Sequence, residues 1–410
     1  MSALKICLLA PEFLPNWGGV GTYCIELAKA IAGKVELHVA TVERTKNRKA
    51  IYSKRDMERF FGDAITAHTL ATCPGDDTFF YNARMQAAVL QKLPSIIKDY
   101  KIDMIHTNFP HMPDVLLKSL GRKKVPDITT VHTTIEGQKS GTRASGLSYL
   151  EMDRSEKSTL LLYPFLRAIE NVYLRKSRNL ATVSYWMRDQ VKKAYPFVSD
   201  MYVVHNGVDV ERYSRDKASK FQFSDKNVKG PIVLFSSRLT AAKGVHYLIQ
   251  AIPEVLKGDR DAHFVFTGAG PKALWMQLLE KLGVNKSSYT FLGYIDYKKL
   301  PGLYASADVF VAPSLYENLP IRILEAMSCE SAVVASRICA IPEAITHLEN
   351  GLLISPGDVQ ELADSISMLV SDESLRKRLG ARARETVVKE FDWNRIGSKT
   401  LRIYEKVLAD

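Results

Sequence analysis

The sequence predicts an α/β protein built from two Rossmann-like, doubly wound domains. Three observations carry that prediction. Short apolar runs alternate with helical stretches along the whole chain, the pattern of parallel sheets covered by helices on both faces. The alternation lapses once, across the polar, aperiodic residues 210–230, which read as a linker, and then resumes. With 410 residues and a 46% hydrophobic fraction, the chain is long enough for about two cores and too apolar for disorder. The expected division is residues 1–209, residues 210–390 and a C-terminal helix over 391–410.

The first strand is KICLLAP (Lys5–Pro11). A loop ending GGVGT (Gly18–Thr22) follows, then a helix from about Thr22 to Ala32. Strand, glycine-rich loop and helix open a mononucleotide-binding unit. Glycines here let the backbone pass close to a ligand, with the N–H groups of Gly19 and Val20 available to donate. The same spacing also suits an ordinary tight turn. Gly-x-Gly-x-x-Gly is absent, so the dinucleotide fingerprint fails. The strands VELHVATV (Val35–Val42), AITAHTL (Ala64–Leu70), DMIHTN (Asp103–Asn108), DITTVHTT (Asp127–Thr134), NLATVS (Asn179–Ser184) and MYVVHNGVD (Met201–Asp209) come next. Helices separate them at about 82–100, 114–120, 155–176 and 186–195. His132 stands at the C-terminal end of its strand, where ligands bind in open α/β sheets.

In the second half, IVLFSSRL (Ile232–Leu239) enters a helix through AAKG, so Arg238 and Lys243 flank a strand-to-helix turn. HFVFTGAGP (His263–Pro271) enters another helix, and TFLGYI precedes a short one near Leu300–Ala305. Then comes DVFVAPSLYENLPIRILEAMSCESAVVASRICAIPE (Asp308–Glu343). Its buried run Val309–Ala312 ends at Pro313 and exposes Tyr316, Glu317 and Asn318. Pro320 suits the first position of a helix, where its missing N–H is not needed. Leu319 would then cap that helix, and Leu caps poorly. The N–H groups of Leu319, Ile321 and Arg322 lack a local acceptor, so the helix start is an anion site. Glu317 lies just before it and Glu325 roughly 7–8 Å along the axis. One carboxylate on each side of a phosphate site fits a nucleotide-sugar, because carboxylates accept from hydroxyls. The last segments, Asp358–Asp372 and Trp393–Leu408, read as amphipathic helices.

The net charge of +11 is uneven. Residues 1–200 carry 29 Lys and Arg against 20 Asp and Glu, and residues 201–410 carry 27 against 25. A basic first half suggests an anionic partner. Its cations are not interleaved with stacking aromatics, which argues against nucleic acid. The segments Lys46–Phe61 and Gly137–Lys157 would suit peripheral contact with an anionic membrane face, or are solvated loops. The five cysteines form no C-x2-C pair, so neither a zinc site nor a disulfide framework is expected, and a reducing cytoplasm fits. The apolar run after Lys5 is only a strand long, and none approaches 18 residues. Neither a signal peptide nor a membrane span is therefore expected.

The E-x7-E pair Glu317/Glu325, the EAM that follows (Glu325–Met327), VVAS (Val333–Ser336) and IPE (Ile341–Glu343) resemble the signature of glycosyltransferase family 4, retaining enzymes of the GT-B fold. SRLTAAKG resembles the family's GRL-x-x-x-KG motif with Ser237 in place of Gly, HNGVD its N-G-V/I-D motif, and TGAGP its G-x-G-P turn. Asn318 stands where Gly is usual, and Ser331-Ala332 where Gly-x-Pro is common. The resemblance implies two domains facing across a cleft that holds the active site. It implies transfer of a sugar from a UDP- or GDP-linked donor to a hydroxyl of a sugar, lipid-linked or small-molecule acceptor, with retention and without metal or cofactor. His132, Arg238, Lys243 and Glu317 become the catalytic candidates. Gly19, Val20, Asn206, Gly268, Gly270, Asn318, Leu319, Pro320 and Glu325 become the substrate-binding ones. Arg238 and Lys243 would meet the donor diphosphate, where fixed cations stabilise the charge of the leaving group. Glu317 and His132 would meet the donor sugar, and Glu325 the ribose. The D-x-D at Asp259 and Asp261, which holds a divalent metal in other glycosyltransferases, falls at the N-terminal end of a strand, away from ligands, and reads as a surface turn. The rival readings are a nucleotide-sugar epimerase or phosphorylase on the same fold, and a non-catalytic nucleotide-sugar binding protein.

Overall fold

The computed structural model describes residues 3–409 apart from 15–17, 47–48, 51–56, 58–59, 75–80, 110–111, 122–124, 145, 147–151, 153, 220 and 224–227. The chain divides into two compact units. One comprises Met1–Ile135, Leu162–Asn206 and Trp393–Asp410, the other Glu136–Leu161 and Gly207–Asp392.

The first unit holds strands β1 (Lys5–Leu9), β2 (Glu36–Lys46), β3 (Lys49–Ala50), β4 (Ile65–Pro74), β5 (Met104–Phe109), β6 (Asp127–Val131), β7 (Asn179–Thr182) and β8 (Tyr202–Val203). Their main order is β4-β2-β1-β5-β6-β7-β8, all parallel, with β3 antiparallel against the far end of β2. The second unit holds β9 (Ile232–Ser236), β10 (His263–Thr267), β11 (Tyr289–Gly293), β12 (Val309–Ala312), β13 (Ala332–Ser336) and β14 (Leu352–Ile354), in the all-parallel order β11-β10-β9-β12-β13-β14. The strands are continuous apolar runs because both sheet faces are covered; every residue of β10 and β13 is buried. In each sheet the chain winds to one edge, returns to the middle and winds to the other. The switch points fall between β1 and β5 and between β9 and β12, where the loops leaving neighbouring strands diverge and open a crevice. The predicted pair of doubly wound sheets is what the chain forms.

Several local expectations need correction. The first helix starts at Gly19, not Thr22, so Gly19 and Val20 belong to its opening turn. The stretch 155–176 is two helices, Arg154–Leu161 and Tyr163–Lys176, because Pro164 starts the second in a position where its lost N–H costs nothing. Residues 210–219 are not a loose linker. Arg215 donates to Ala307 O at 2.7 Å and Cys329 O at 3.0 Å, and Tyr213 is buried. The contact with Cys329 O satisfies a carbonyl at the end of the helix Ile321–Ser328, and that with Ala307 O one just beyond the helix Leu300–Ala305. Arg384 completes the clamp, donating to Val210 O, Tyr213 O and Ser328 O. Residues 220 and 224–227 of that segment lie outside the described residues.

The two basic segments also differ from open loops. Much of 46–61 lies outside the described residues, but Phe61 stacks on Phe13 at 5.6 Å and Phe60 lies under the Lys29 ammonium. Of 137–157, the beginning is a helix, Ile135–Ala144, and part of the remainder is undescribed. No helix among the described residues is long and apolar enough to cross a membrane. The last helix, Trp393–Ala409, lies along the helix Gly19–Ile31. Gly397 permits that approach: a Cβ there would stand 2.8 Å from the Ala30 methyl.

Candidate active site

In the second unit the crevice between β9 and β12 gathers most of the predicted residues. The loop after β9 carries Arg238 and Lys243, and the loop after β12 carries Glu317 and Asn318. Because β12 lies beside β9, these loops touch. Leu315 N donates to Ala242 O at 2.9 Å. Gly244 sits directly under the second loop with φ +69; a Cβ there would fall 1.8 Å from Pro313 O. Only glycine meets both the left-handed backbone and the lack of space. This close approach brings the Lys243 ammonium into a direct ion pair with the Glu317 carboxylate. Each side chain is 18% exposed, so the pair is mostly shielded yet reachable.

Gly268 and Gly270 act from below. Their φ values are +131 and +150, and Cβ atoms would overlap Ser237 O at 1.8 Å and Leu239 O at 2.8 Å. The turn is tied there by Leu239 N to Ala269 O, 2.7 Å. These glycines therefore shape the loop that presents Arg238, which is exposed.

The helix Ile321–Ser328 begins one residue later than expected: Pro320 is its N-cap, with extended ψ of 119°, and no side chain caps it. Proline's fixed φ of −73° suits either position, so sequence alone does not separate them. The Leu319 and Ile321 side chains are buried, which anchors the helix start. Asn318 Oδ1 and Thr240 Oγ1 are buried with no hydrogen-bond partner among the described residues, an uncommon condition for polar atoms.

The electrostatics centre on cations. Burial lowers the Lys243 pKa from the usual lysine range. Glu317 opposes that, while Arg238 and Arg322 add to it. Arg238 and Arg322 thus lie within electrostatic reach of the Lys243 ammonium, which pairs with Glu317 close to a helix start without a side-chain cap, an arrangement that attracts a multivalent anion. Glu325, one turn beyond Arg322, is only 4% exposed. Burial raises its carboxyl; Tyr213, Arg322, Tyr304 and Arg212 pull it back down.

Sequence reasoning missed the side chains of five neighbours of this site. Arg322 entered the sequence reading only through its backbone N–H, although the i,i+3 spacing of its side chain to Glu325 was a signal. Cys339, in the loop after β13, faces Glu317 and Lys243; burial pushes its thiol up to about 11. Tyr316 packs on the helix Ile135–Ala144, where Cβ atoms at Gly137 and Gly141 would fall 1.9 Å from its hydroxyl and 2.4 Å from its own Cβ. Those two glycines, one turn apart, read from sequence as part of a loop. Tyr304 and Tyr213 stack edge-on at 5.9 Å beneath Glu325, a meeting no sequence spacing reveals.

In the first unit the candidates fall at three points of the chain. Gly19 and Val20 form the first turn of a helix without a side-chain N-cap. The missed residue here is Glu12, whose carboxylate accepts from Gly21 N at 3.3 Å and so occupies the positive helix end. His132 follows β6 and is 8% exposed, with its Nε2 3.0 Å from Asn108 Oδ1 and its ring edge-on to Tyr23 at 4.5 Å. Asn206 is buried beyond β8. Asp259 and Asp261 lie where expected, at the start of β10, with Asp261 N bonded to Asp259 Oδ1 in a local turn.

Residues 17–212 match the family model for glycosyltransferase family 4, and residues 216–386 match that for glycosyl transferases group 1. The chain is 27% identical over 413 residues to an uncharacterized glycosyltransferase of Methanocaldococcus jannaschii, covering 98% of each. Among solved structures it superimposes on sucrose-phosphate synthase from Thermosynechococcus elongatus with a TM-score of 0.75 at 19% identity, over 99% of both chains. It also superimposes on Anabaena HepE in complex with UDP and glucose, with a TM-score of 0.69 at 20% identity, over 98% of this chain and 99% of the other. At these identities the structural likeness speaks to the fold, which is GT-B.

Proposed function

This chain belongs to the group 1, family 4 glycosyltransferases, and from that premise we propose that it moves a sugar from a nucleotide-diphosphate donor to an acceptor hydroxyl, with retention at the anomeric carbon and without a metal ion. The observation that carries the proposal is the Lys243–Glu317 pair with Arg238 and Arg322 around it, at the switch point of a doubly wound sheet.

The donor diphosphate takes the cations. Arg238, Lys243 and the N–H groups at the start of the helix Ile321–Ser328 neutralise the charge that grows on the leaving group, so protein cations do the work that a metal does elsewhere. Binding transfers the Lys243 ammonium from Glu317 to the phosphate, and the released Glu317 carboxylate accepts from the sugar hydroxyls. Glu325 accepts from the ribose, and Asn318 Oδ1 gains a donor. His132 contacts the donor sugar, and Gly19 and Val20 offer N–H groups once Glu12 withdraws. We assign no carboxylate among the described residues as a nucleophile, so in this reading the departing phosphate takes the acceptor proton on the same face. A uridine donor is favoured, because HepE, which shares the fold, was solved with UDP and glucose.

The test is Glu317→Ala, assayed with UDP-, GDP- and ADP-sugars in the presence of a chelator. The wild type should transfer, giving a product of unchanged anomeric configuration by NMR. The variant should bind the nucleotide, seen as a thermal shift, without transferring sugar. Full transfer by the variant would refute the role of Glu317, and loss of wild-type activity in chelator would refute the metal-free route.

A further inference from the structure

A surface helix ordinarily turns its polar side to water, and the helix Tyr163–Lys176 does not. Its exposed stripe, at helical spacing, is Phe165, Ala168 and Val172, with Pro164 beside Phe165 and Arg175 nearly a turn beyond Val172. Phe165 is 64% exposed and Val172 46%. The helix's one carboxylate, Glu170, is fully buried and pairs with Arg167, and the Tyr173 hydroxyl turns inward to donate to Asp114 at 2.6 Å.

The neighbouring helix continues this surface. Asp114 precedes the helix Val115–Ser119, and the Lys118 ammonium lies over the Tyr173 ring at 4.2 Å, so the two helices lie side by side. They stand on the crossings from β5 to β6 and from β6 to β7 of one parallel sheet, so both cover the same sheet face and their solvent sides look the same way. Leu116 and Leu120 are exposed there, four residues apart. Exposed apolar side chains scattered singly are ordinary, but four large ones on two adjoining helices mark an interaction surface. The charges at its edge are positive. Arg175, Lys176 and Arg178 are exposed, and neither helix exposes a carboxylate. On the next helix, Tyr185–Ala194, Lys192 and Lys193 are exposed, while Asp189 pairs with Arg188 at 2.9 Å.

We propose that this face docks the protein on an anionic phospholipid surface, with Leu116, Leu120, Phe165 and Val172 entering the interface and Lys176 and Arg178 meeting the lipid phosphates. Such a surface answers both the apolar stripe and its positive edge, whereas a second copy seated on the same face would bring only further positive charge. The membrane contact expected of the basic first half thus falls on two packed helices rather than on the segments 46–61 and 137–157. Docking of this kind does not depend on sugar transfer.

The experiment sediments the full chain with vesicles of equal parts phosphatidylglycerol and phosphatidylcholine. The wild type should pellet with them at low salt, pellet less as salt is added, and stay in solution with phosphatidylcholine alone. Phe165→Ser combined with Val172→Ser should weaken binding about tenfold or more, through lost apolar burial. Lys176→Ala should weaken it about fivefold, the scale for one cation at an anionic surface. Both sets of side chains are exposed, so melting temperatures should stay near wild type and separate these effects from misfolding. A wild type that remains in solution with the anionic vesicles at low salt, or variants that bind them as the wild type does, overturns the proposal. So does a dimer, seen by light scattering, that the double serine variant splits, because a second copy would then cover the face. A chain that binds vesicles yet transfers no sugar would strike the transfer reading alone.

Discussion

Lys243 donates to Glu317 across 74 residues of sequence, joining the loop after β9 to the loop after β12. The two charges compensate each other in a shielded place, so neither is idle before a ligand arrives. Lys243→Ala should lower kcat/KM for the nucleotide-sugar by roughly 10²–10³-fold, the scale for losing one donor to a developing anion. The ammonium must be charged to hold phosphate, and its pKa is depressed. Donor affinity should therefore decline at a lower pH than an exposed lysine would dictate. Titrating Kd against pH checks this; a Kd independent of pH up to the ordinary lysine range would contradict it.

Gly244 permits the contact between those loops. Gly244→Ala should destabilise the protein by about 2 kcal/mol or more, from left-handed backbone and overlap with Pro313 O. Donor affinity should fall with it, because the Lys243–Glu317 geometry depends on the approach. Urea denaturation and donor titration measure the two effects; an alanine variant of wild-type stability would show that the loops can part freely.

Tyr316 precedes Glu317 and seats on Gly137 and Gly141. Tyr316→Ala should cost about 1–3 kcal/mol, as expected for a partly buried aromatic, and should slow transfer about tenfold by loosening Glu317. Gly141→Ala, whose new methyl would stand 2.4 Å from the Tyr316 Cβ, should act in the same direction. Rates equal to wild type in both variants would separate the seat from the site.

His68 sits on His38, with Nε2 to Nδ1 at 2.9 Å and the rings stacked at 5.2 Å. Burial and the neighbouring His38 hold His68 down to about 4. The unfolded chain, near 6.5, takes up this proton first. The stability it contributes is full above about pH 6.5 and is lost as pH falls toward 4. Allowing for partial exposure, that is on the order of 1–2 kcal/mol. His68→Gln should flatten the curve of stability against pH between 7 and 4. A variant as acid-sensitive as wild type would place the effect elsewhere, for instance at His106.

Much of the site was legible because its parts are local. The βα turns bearing Arg238, Lys243, Gly268 and Gly270 announce themselves by strand, glycine and cation in fixed succession, and the uncapped helix after Pro320 by the poor capping of the residues before it. Boundaries slipped by a few residues where two conformations suit the same side chain, as at Pro320 and Gly19. Segments 137–144 and 210–219 depart from their sequence reading because glycines and charges there serve distant partners, Tyr316 and the end of the helix Ile321–Ser328.

By itself, then, the sequence determined two alternating α/β halves and the chemistry at the end of each strand, since apolar periodicity and turn composition act between neighbours in the chain. Only the tertiary structure decided that Lys243 pairs with Glu317, that Asn108 holds His132, and that Cys339 and Arg322 border the site. Those meetings depend on strand order: β12 lies beside β9, and β6 beside β5, because the sheets wind outward from their middles. No local pattern encodes which loops that winding sets side by side.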